Sequence, residues 1–154
     1  MKIIYIHHGQ RLLGNPPTQE DKLTDLGTHD CNLVAELLNG KNKEKIKAIY
    51  TSPFYRCSKT AELINKNINV PIINDDRLNE FSSKIETWTN LQERVLNCIN
   101  DIVEKYEEDD TVICVTSGVN VCAFINKAYN IKPNENTPFI GIISCSPLIF
   151  NYKK

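Results

Sequence analysis

The chain has no apolar run approaching the roughly 20 residues that span a bilayer. Its first short run, Ile3–Ile6, ends too soon to be the apolar region of a signal peptide. An excess of one charge is missing too: 18 Lys and Arg against 19 Asp and Glu leave a net charge of -1. That balance gives no electrostatic footprint for nucleic acid or an anionic membrane, so neither is expected as a partner. No C-x-x-C pair occurs among Cys31, Cys57, Cys98, Cys114, Cys122 and Cys145, and most of them stand in apolar segments. So scattered, they read as reduced core thiols of a cytoplasmic protein, not as a disulfide framework or a zinc site. Internal repeats, low-complexity tracts and linkers are absent as well. The 154 residues therefore read as one domain, 1–154, large enough for its own core.

What is present is an alternation of short apolar runs with longer amphipathic stretches, the pattern of a mainly parallel sheet covered by helices. Strands are expected at Lys2–Ile6, Ile46–Tyr50, Val70–Ile73 and Thr111–Val115, with Phe139–Ile143 and Leu148–Tyr152 supplying a last strand or a hairpin. The first helix opens at Leu23-Thr24-Asp25-Leu26-Gly27, with Thr24 as N-cap and Asp25 favouring the helix dipole. Leu26, Leu33, Val34, Leu37 and Leu38 form its expected apolar stripe, and Asn39-Gly40 ends it. Further helices are expected over Phe54–Asn67, Thr87–Glu107 and Val119–Tyr129. The long one carries Leu91, Val95, Ile99, Ile102 and Val103 on one side.

Three of the strands end in chemically suggestive turns: His7-His8-Gly9, Thr51-Ser52-Pro53 and Thr116-Ser117-Gly118. Carboxyl ends of parallel strands lie side by side and are where ligands bind in open α/β sheets. These side chains, with the helix N-termini that follow, could converge on one anion. Imidazole supplies a nucleophile or proton carrier near neutral pH, and glycine lets the backbone approach a ligand closely. Alternation along the strand points His7 away from His8, although a turn relaxes that rule. His29 is expected on the exposed face of the first helix, and Trp88 as a packing residue or pocket lid.

Read together, His7-His8-Gly9-Gln10, Leu23-Thr24-Asp25-Leu26-Gly27, the segment Ser52-Pro53-Phe54-Tyr55-Arg56-Cys57-Ser58-Lys59-Thr60-Ala61, Leu78-Asn79-Glu80, Glu86-Thr87 with Arg94, and Thr116-Ser117-Gly118 form an ordered series. In that series the chain resembles the histidine phosphatase superfamily, in its phosphoglycerate-mutase-like branch, over nearly its whole length. The Ser52–Ala61 segment is the most specific match. The resemblance implies a phosphoglycerate-mutase-like α/β fold, a three-layer sandwich with a mainly parallel central sheet flanked by helices. It implies His8 as the phosphoryl-accepting nucleophile, Arg56 as the cation that grips phosphate oxygens, and Glu80 as proton donor to the leaving alcohol. Asn15 would mark the substrate side of the pocket, and Gly118 would offer amides to the anion. No metal and no cofactor is implied, because cationic side chains neutralise the phosphoryl oxygens.

Two positions depart from the family pattern. The first-motif arginine is His7 here, and the late histidine is Ser117. A protonated His7 could partly replace the arginine, or His7 could be a spacer packed against neighbouring loops. Arg11 could swing in instead, and Ser117 could donate one neutral hydrogen bond. The resemblance therefore implies a phosphomonoester hydrolase working through a phosphohistidine on His8, of reduced or altered activity toward a phosphorylated small molecule. The alternative is a catalytically impaired pseudophosphatase that binds a phosphorylated ligand, phosphate or a protein partner. Phosphoglycerate-mutase-type phosphoryl transfer comes third, since the interval between Ser52-Pro53 and Thr116-Ser117-Gly118 leaves little room for a lid.

Overall fold

Period-two alternation within the apolar strands decides the architecture. In the computed structural model, which describes residues 1–14, 18–40, 43–131 and 141–153, the first strand, β1 (Lys2–His7), lies inside a five-stranded sheet. Further strands are β2 (Ile46–Thr51), β3 (Ile72–Asn74), β4 (Thr111–Thr116) and β5 (Pro147–Asn151), in the order β3-β2-β4-β1-β5. All neighbours run parallel except β5, which is antiparallel to β1. Ile3, Tyr5, Ala48, Tyr50, Val112 and Cys114 face one side of the sheet, and Ile4, Ile6, Ile49, Ile113 and Val115 face the other. Both faces are apolar, so both need helices.

Helices α3 (Trp88–Lys105) and α4 (Gly118–Ala128) cover the first face, and α1 (Asp25–Leu38) and α2 (Tyr55–Asn65) the second, giving a three-layer α/β sandwich. Leu91, Val95, Ile99 and Ile102 of α3 are buried at the expected spacing, and Thr87 caps the helix by accepting from Asn90 N. Trp88 stacks on Phe81 at a centroid distance of 4.9 Å and packs against the core as expected.

The first helix departs from expectation. Its buried residues are Gly27, Cys31, Val34 and Ala35, whereas Leu26, Leu33 and Leu37 are exposed. The reason is close packing against the turn after β1. A Cβ on Gly27 would lie 2.2 Å from Gln10 O, and one on Gly9 would lie 2.9 Å from Cys31 Sγ. Only small side chains fit there, so the helix turns its small face inward and leaves leucines outside. Thr24 anchors this end: its Oγ1 accepts from Gly27 N at 2.9 Å and donates to Gln10 Oε1 at 2.8 Å.

Two strand expectations shift as well. Val70 is held outside β3 by the Asn65 side chain, which donates to Val70 O and accepts from Val70 N at 2.9 Å each. Pairing therefore begins two residues later, at Ile49↔Ile72. At the carboxyl end the last strand is β5, with Pro147 at its start, where a missing N–H is tolerated on an edge. Residues 141–143 carry no strand, and Phe139 lies outside the described residues.

Candidate active site

Sheet order places the three suggestive turns together, because β2, β4 and β1 are consecutive neighbours. Ser52 N donates to Val115 O at 3.1 Å and His8 N to Thr116 O at 3.0 Å, so the pairing carries on just past the strand ends. The residues beyond those bonds open into a cavity of about 380 Å³ lined by His7, His8, Arg11, Glu80, Gly118 and Ile142. A larger cleft of about 600 Å³, lined by Phe54, Arg56, Glu80, Phe81, Ile85 and Arg94, meets it at Glu80.

His8 is 5 % exposed, and its ring is oriented by two partners. Nδ1 lies 2.8 Å from Gly9 O. A carbonyl oxygen only accepts, so Nδ1 holds the proton and Nε2 carries the lone pair. Arg56 Nε donates to that lone pair at 3.2 Å. Burial first, then His7, Arg56 and Arg11, push the imidazole down to about 3, so the ring is neutral at neutral pH. A neutral imidazole with its far nitrogen held by an acceptor is the form that attacks phosphorus.

Arg56, 2 % exposed in the first turn of α2, is the electrostatic hub of the site. Its Nη1 donates to Thr18 O at 3.1 Å, its Nη2 forms an ion pair with the Glu80 carboxylate, and its guanidinium lies 5.1 Å from the centroid of the Phe54 ring. His8, Arg56 and Glu80 thus form one continuous chain of contacts.

The other candidates divide. The His7 and His8 ring centroids are only 4.4 Å apart, because β1 ends at His7 and the turn brings both rings to one cavity. His7 Nδ1 lies 2.8 Å from Ile142 O, and burial lowers its pKa. Gly118 lines the cavity and packs beneath His7, where an added Cβ would be 3.4 Å from Cε1 and Nδ1. Ser117, expected as a donor to phosphate, instead donates from Oγ to Asn120 Oδ1 at 3.1 Å. Arg11 lines the cavity but is ion-paired with Asp21. Asn15 lies outside the described residues. Arg94 grips Glu86 through Nε at 2.8 Å and Nη2 at 2.6 Å, and it caps Arg77 O at 2.6 Å.

Further residues support the site from behind. Asn120 Nδ2 donates to Leu78 O and Asn79 O at 2.9 Å each, and Thr116 Oγ1 donates to Leu78 O at 2.7 Å. Ser52 Oγ donates to Asn79 Oδ1 at 2.7 Å. Together they pin the segment that carries Glu80. Thr60 Oγ1 accepts from Gly9 N at 2.9 Å and donates to Arg56 O at 2.7 Å, joining the His8 turn to α2. Ser52 and Thr60 were visible as motif members, whereas nothing local marks Asn120. Among the described residues, no group of three or more His, Cys, Asp or Glu could hold a metal ion. Nor is any described helix long and apolar enough to cross a membrane.

Solved structures share this architecture. YhfR from Bacillus stearothermophilus superposes with a TM-score of 0.80 at 22 % identity, over 96 % of this chain and 89 % of that one. A phosphoserine phosphatase variant from Entamoeba histolytica, solved with phosphoserine, gives 0.78 at 17 % identity, over 99 % and 91 %. A mycobacterial glucosyl-3-phosphoglycerate phosphatase solved with VO3 gives 0.75 at 16 %, over 96 % and 90 %. At such identities the likeness is one of fold. No curated protein matches the sequence. The family model for the histidine phosphatase superfamily (branch 1) matches residues 8–84, from the His8 turn through the Arg56 helix to the segment beyond Glu80. On that match, half of its length, the chain belongs to the histidine phosphatase superfamily.

Proposed function

We propose that the protein is a phosphomonoester hydrolase that transfers the phosphoryl group of a phosphorylated small molecule to His8 Nε2 and then to water. The observation that carries this reading is the fixed tautomer of His8: Nδ1–H bonded to Gly9 O, and the Nε2 lone pair facing a buried guanidinium. As a phosphoryl group enters, Arg56 exchanges its contacts with Glu80 and His8 for phosphoryl oxygens, which a guanidinium can grip in pairs. Nε2 then bonds phosphorus while the ester P–O bond breaks, and Glu80, in its protonated form once parted from Arg56, delivers that proton to the leaving alcohol. In the second half, Glu80 takes a proton from water as its oxygen attacks the phosphohistidine, and inorganic phosphate leaves. Positioning and charge stabilisation supply the acceleration, with no step routed through a metal. The same proposal treats the chain as one domain working in the cytoplasm, a placement supported by its six buried thiols.

Hydrolysis of a general aryl phosphate tests it. Wild-type protein should release the phenol, and His8→Ala should abolish release; unchanged turnover in the variant would rule the mechanism out.

A second reading has its own observation. Ser117 donates to Asn120 and position 7 lacks a fixed cation, so Arg56 is left as the principal cationic ligand. A pseudophosphatase that binds a phosphorylated ligand without turnover fits that arrangement. It requires phosphate to raise the melting temperature while no ester is cleaved, and a His7→Arg, Ser117→His double variant to gain activity.

A further inference from the structure

A single carbonyl oxygen fixes the tautomer of His7. Its Nδ1 sits 2.8 Å from Ile142 O, and a carbonyl oxygen cannot donate, so the proton of the neutral ring is on Nδ1. The Nδ1–Cε1 edge packs over Gly118. His7 lines the cavity, and among the described residues its hydrogen bond is made through Nδ1, leaving the Nε2 lone pair for a ligand there. A phosphoryl dianion entering here meets lone pairs on Nε2 of both histidines. His8 Nε2 is the attacking atom and needs its lone pair. His7 Nε2 can contact a phosphoryl oxygen only if a proton lies between them.

We infer that His7 is a specificity-determining residue that couples anion binding to the uptake of one proton, so that the site takes a phosphoester as the monoanion or, equivalently, as the dianion against an imidazolium. The inference rests on the reading of this cavity as a phosphate site. The charged and titratable groups facing His7 are few. His8 and Arg11 come from its own strand and the loop after it, Arg56 from α2, and Glu80 from the segment before α3. The stretches contributed by α4 (Gly118, Val119) and by Gly141, Ile142 and Ser144 bring no charged side chain to the cavity. Burial first, with Arg56 and Arg11, lowers the pKa of the ring against the opposing pull of the Ile142 carbonyl and Glu80. An arriving dianion reverses that balance, because an opposite charge at contact favours the imidazolium. Arg56 keeps its proton throughout the working range and cannot supply this coupling.

Where the family pattern keeps an arginine, positive charge is permanent. Here it is conditional, and the position selects ligands by their protonation as well as their shape.

Calorimetric titration with sulfate tests this, because sulfate remains a dianion across the neutral range and all proton uptake must come from the protein. In wild type the association constant should fall about tenfold per pH unit above neutrality, with about one proton taken up per sulfate in buffers of differing ionisation enthalpy. His7→Arg should bind with no pH slope and no uptake. His7→Gln, which keeps a neutral side chain of similar length should arginine not be accommodated, should bind more weakly and also without slope. Glu80→Gln should keep the wild-type slope. A slope that survives in His7→Arg or His7→Gln, a flat wild-type profile, or a slope lost in Glu80→Gln would each overturn the inference and leave the phosphate site standing. Failure of wild type to bind sulfate, phosphate or tungstate at any pH would overturn both.

Discussion

Arg56 Nε donates to His8 Nε2 at 3.2 Å while Gly9 O holds Nδ1 at 2.8 Å, so the buried imidazole is clamped in one tautomer from both ends. The clamp joins the end of β1 to the start of α2, two elements 48 residues apart in sequence. It makes a cationic side chain and a nucleophilic nitrogen parts of one unit.

The consequence for Arg56 is direct. Arg56→Ala should lower kcat for an aryl phosphate by about 10²–10³-fold, the usual cost of losing one preorganised stabilising group. Arg56→Lys should recover little, because an ammonium cannot contact His8, Thr18 O and Glu80 at once. Steady-state kinetics on both variants checks this; a lysine variant near wild type would show that charge alone suffices.

Asn120 should matter without touching the cavity. It satisfies Leu78 O and Asn79 O, and through them sets the segment carrying Glu80. Asn120→Ala removes this donor from Asn79 O and leaves Leu78 O with Thr116 Oγ1, an expected cost of about 1–3 kcal/mol in urea unfolding. It should also reduce kcat more than it raises KM, since Glu80 would lose its placement. A variant with wild-type kinetics would separate Asn120 from the site.

Stability should depend on pH through His8. In the unfolded chain the ring protonates near 6.5, whereas in the folded protein burial, then His7, keeps it neutral down to about 3. Between those values the unfolded state binds the extra proton. Stability should therefore fall as pH drops through this window, by up to about 1.4 kcal/mol per unit from this residue. His7, also shifted downward by burial, adds in the same direction. Urea midpoints measured across the window should fall less steeply in His8→Gln; equal slopes would mean that His8 is not buried neutral.

Gly27→Ala tests the packing behind the nucleophile. The new Cβ would lie 2.2 Å from Gln10 O and 2.7 Å from Gln10 N, backbone atoms two residues beyond His8. Overpacking of this kind costs about 1–3 kcal/mol. An unfolding midpoint equal to wild type would show that the turn yields freely.

These cases mark how far residue pattern alone reaches. The buried strands β1 and β4 and the spacing of α3 are readable because both faces of the sheet demand apolar side chains and one face of α3 does. His8, Arg56 and Glu80 are readable because they stand in spaced motifs. The inward face of α1 is not, since counting leucines ignores that the space beneath Gly9 admits only Cys31 and Gly27. β3 begins late because the Asn65 side chain clamps Val70, a local bond that outweighs strand propensity. Asn120 gives no local signal, as its carbonyl partners lie 41 and 42 residues away. The shared cavity of His7 and His8 is readable only through the turn, because strict alternation points the two rings apart and stops applying where β1 ends.

Phosphoryl transfer to His8 is tested most directly by a rapid-quench single turnover with a labelled phosphoester, using wild-type protein and His8→Ala. The expected result is an acid-labile phosphoenzyme that forms and decays in wild type and is absent from the variant. A labelled protein that persists in His8→Ala, or ester hydrolysis that proceeds there at the wild-type rate, would contradict it.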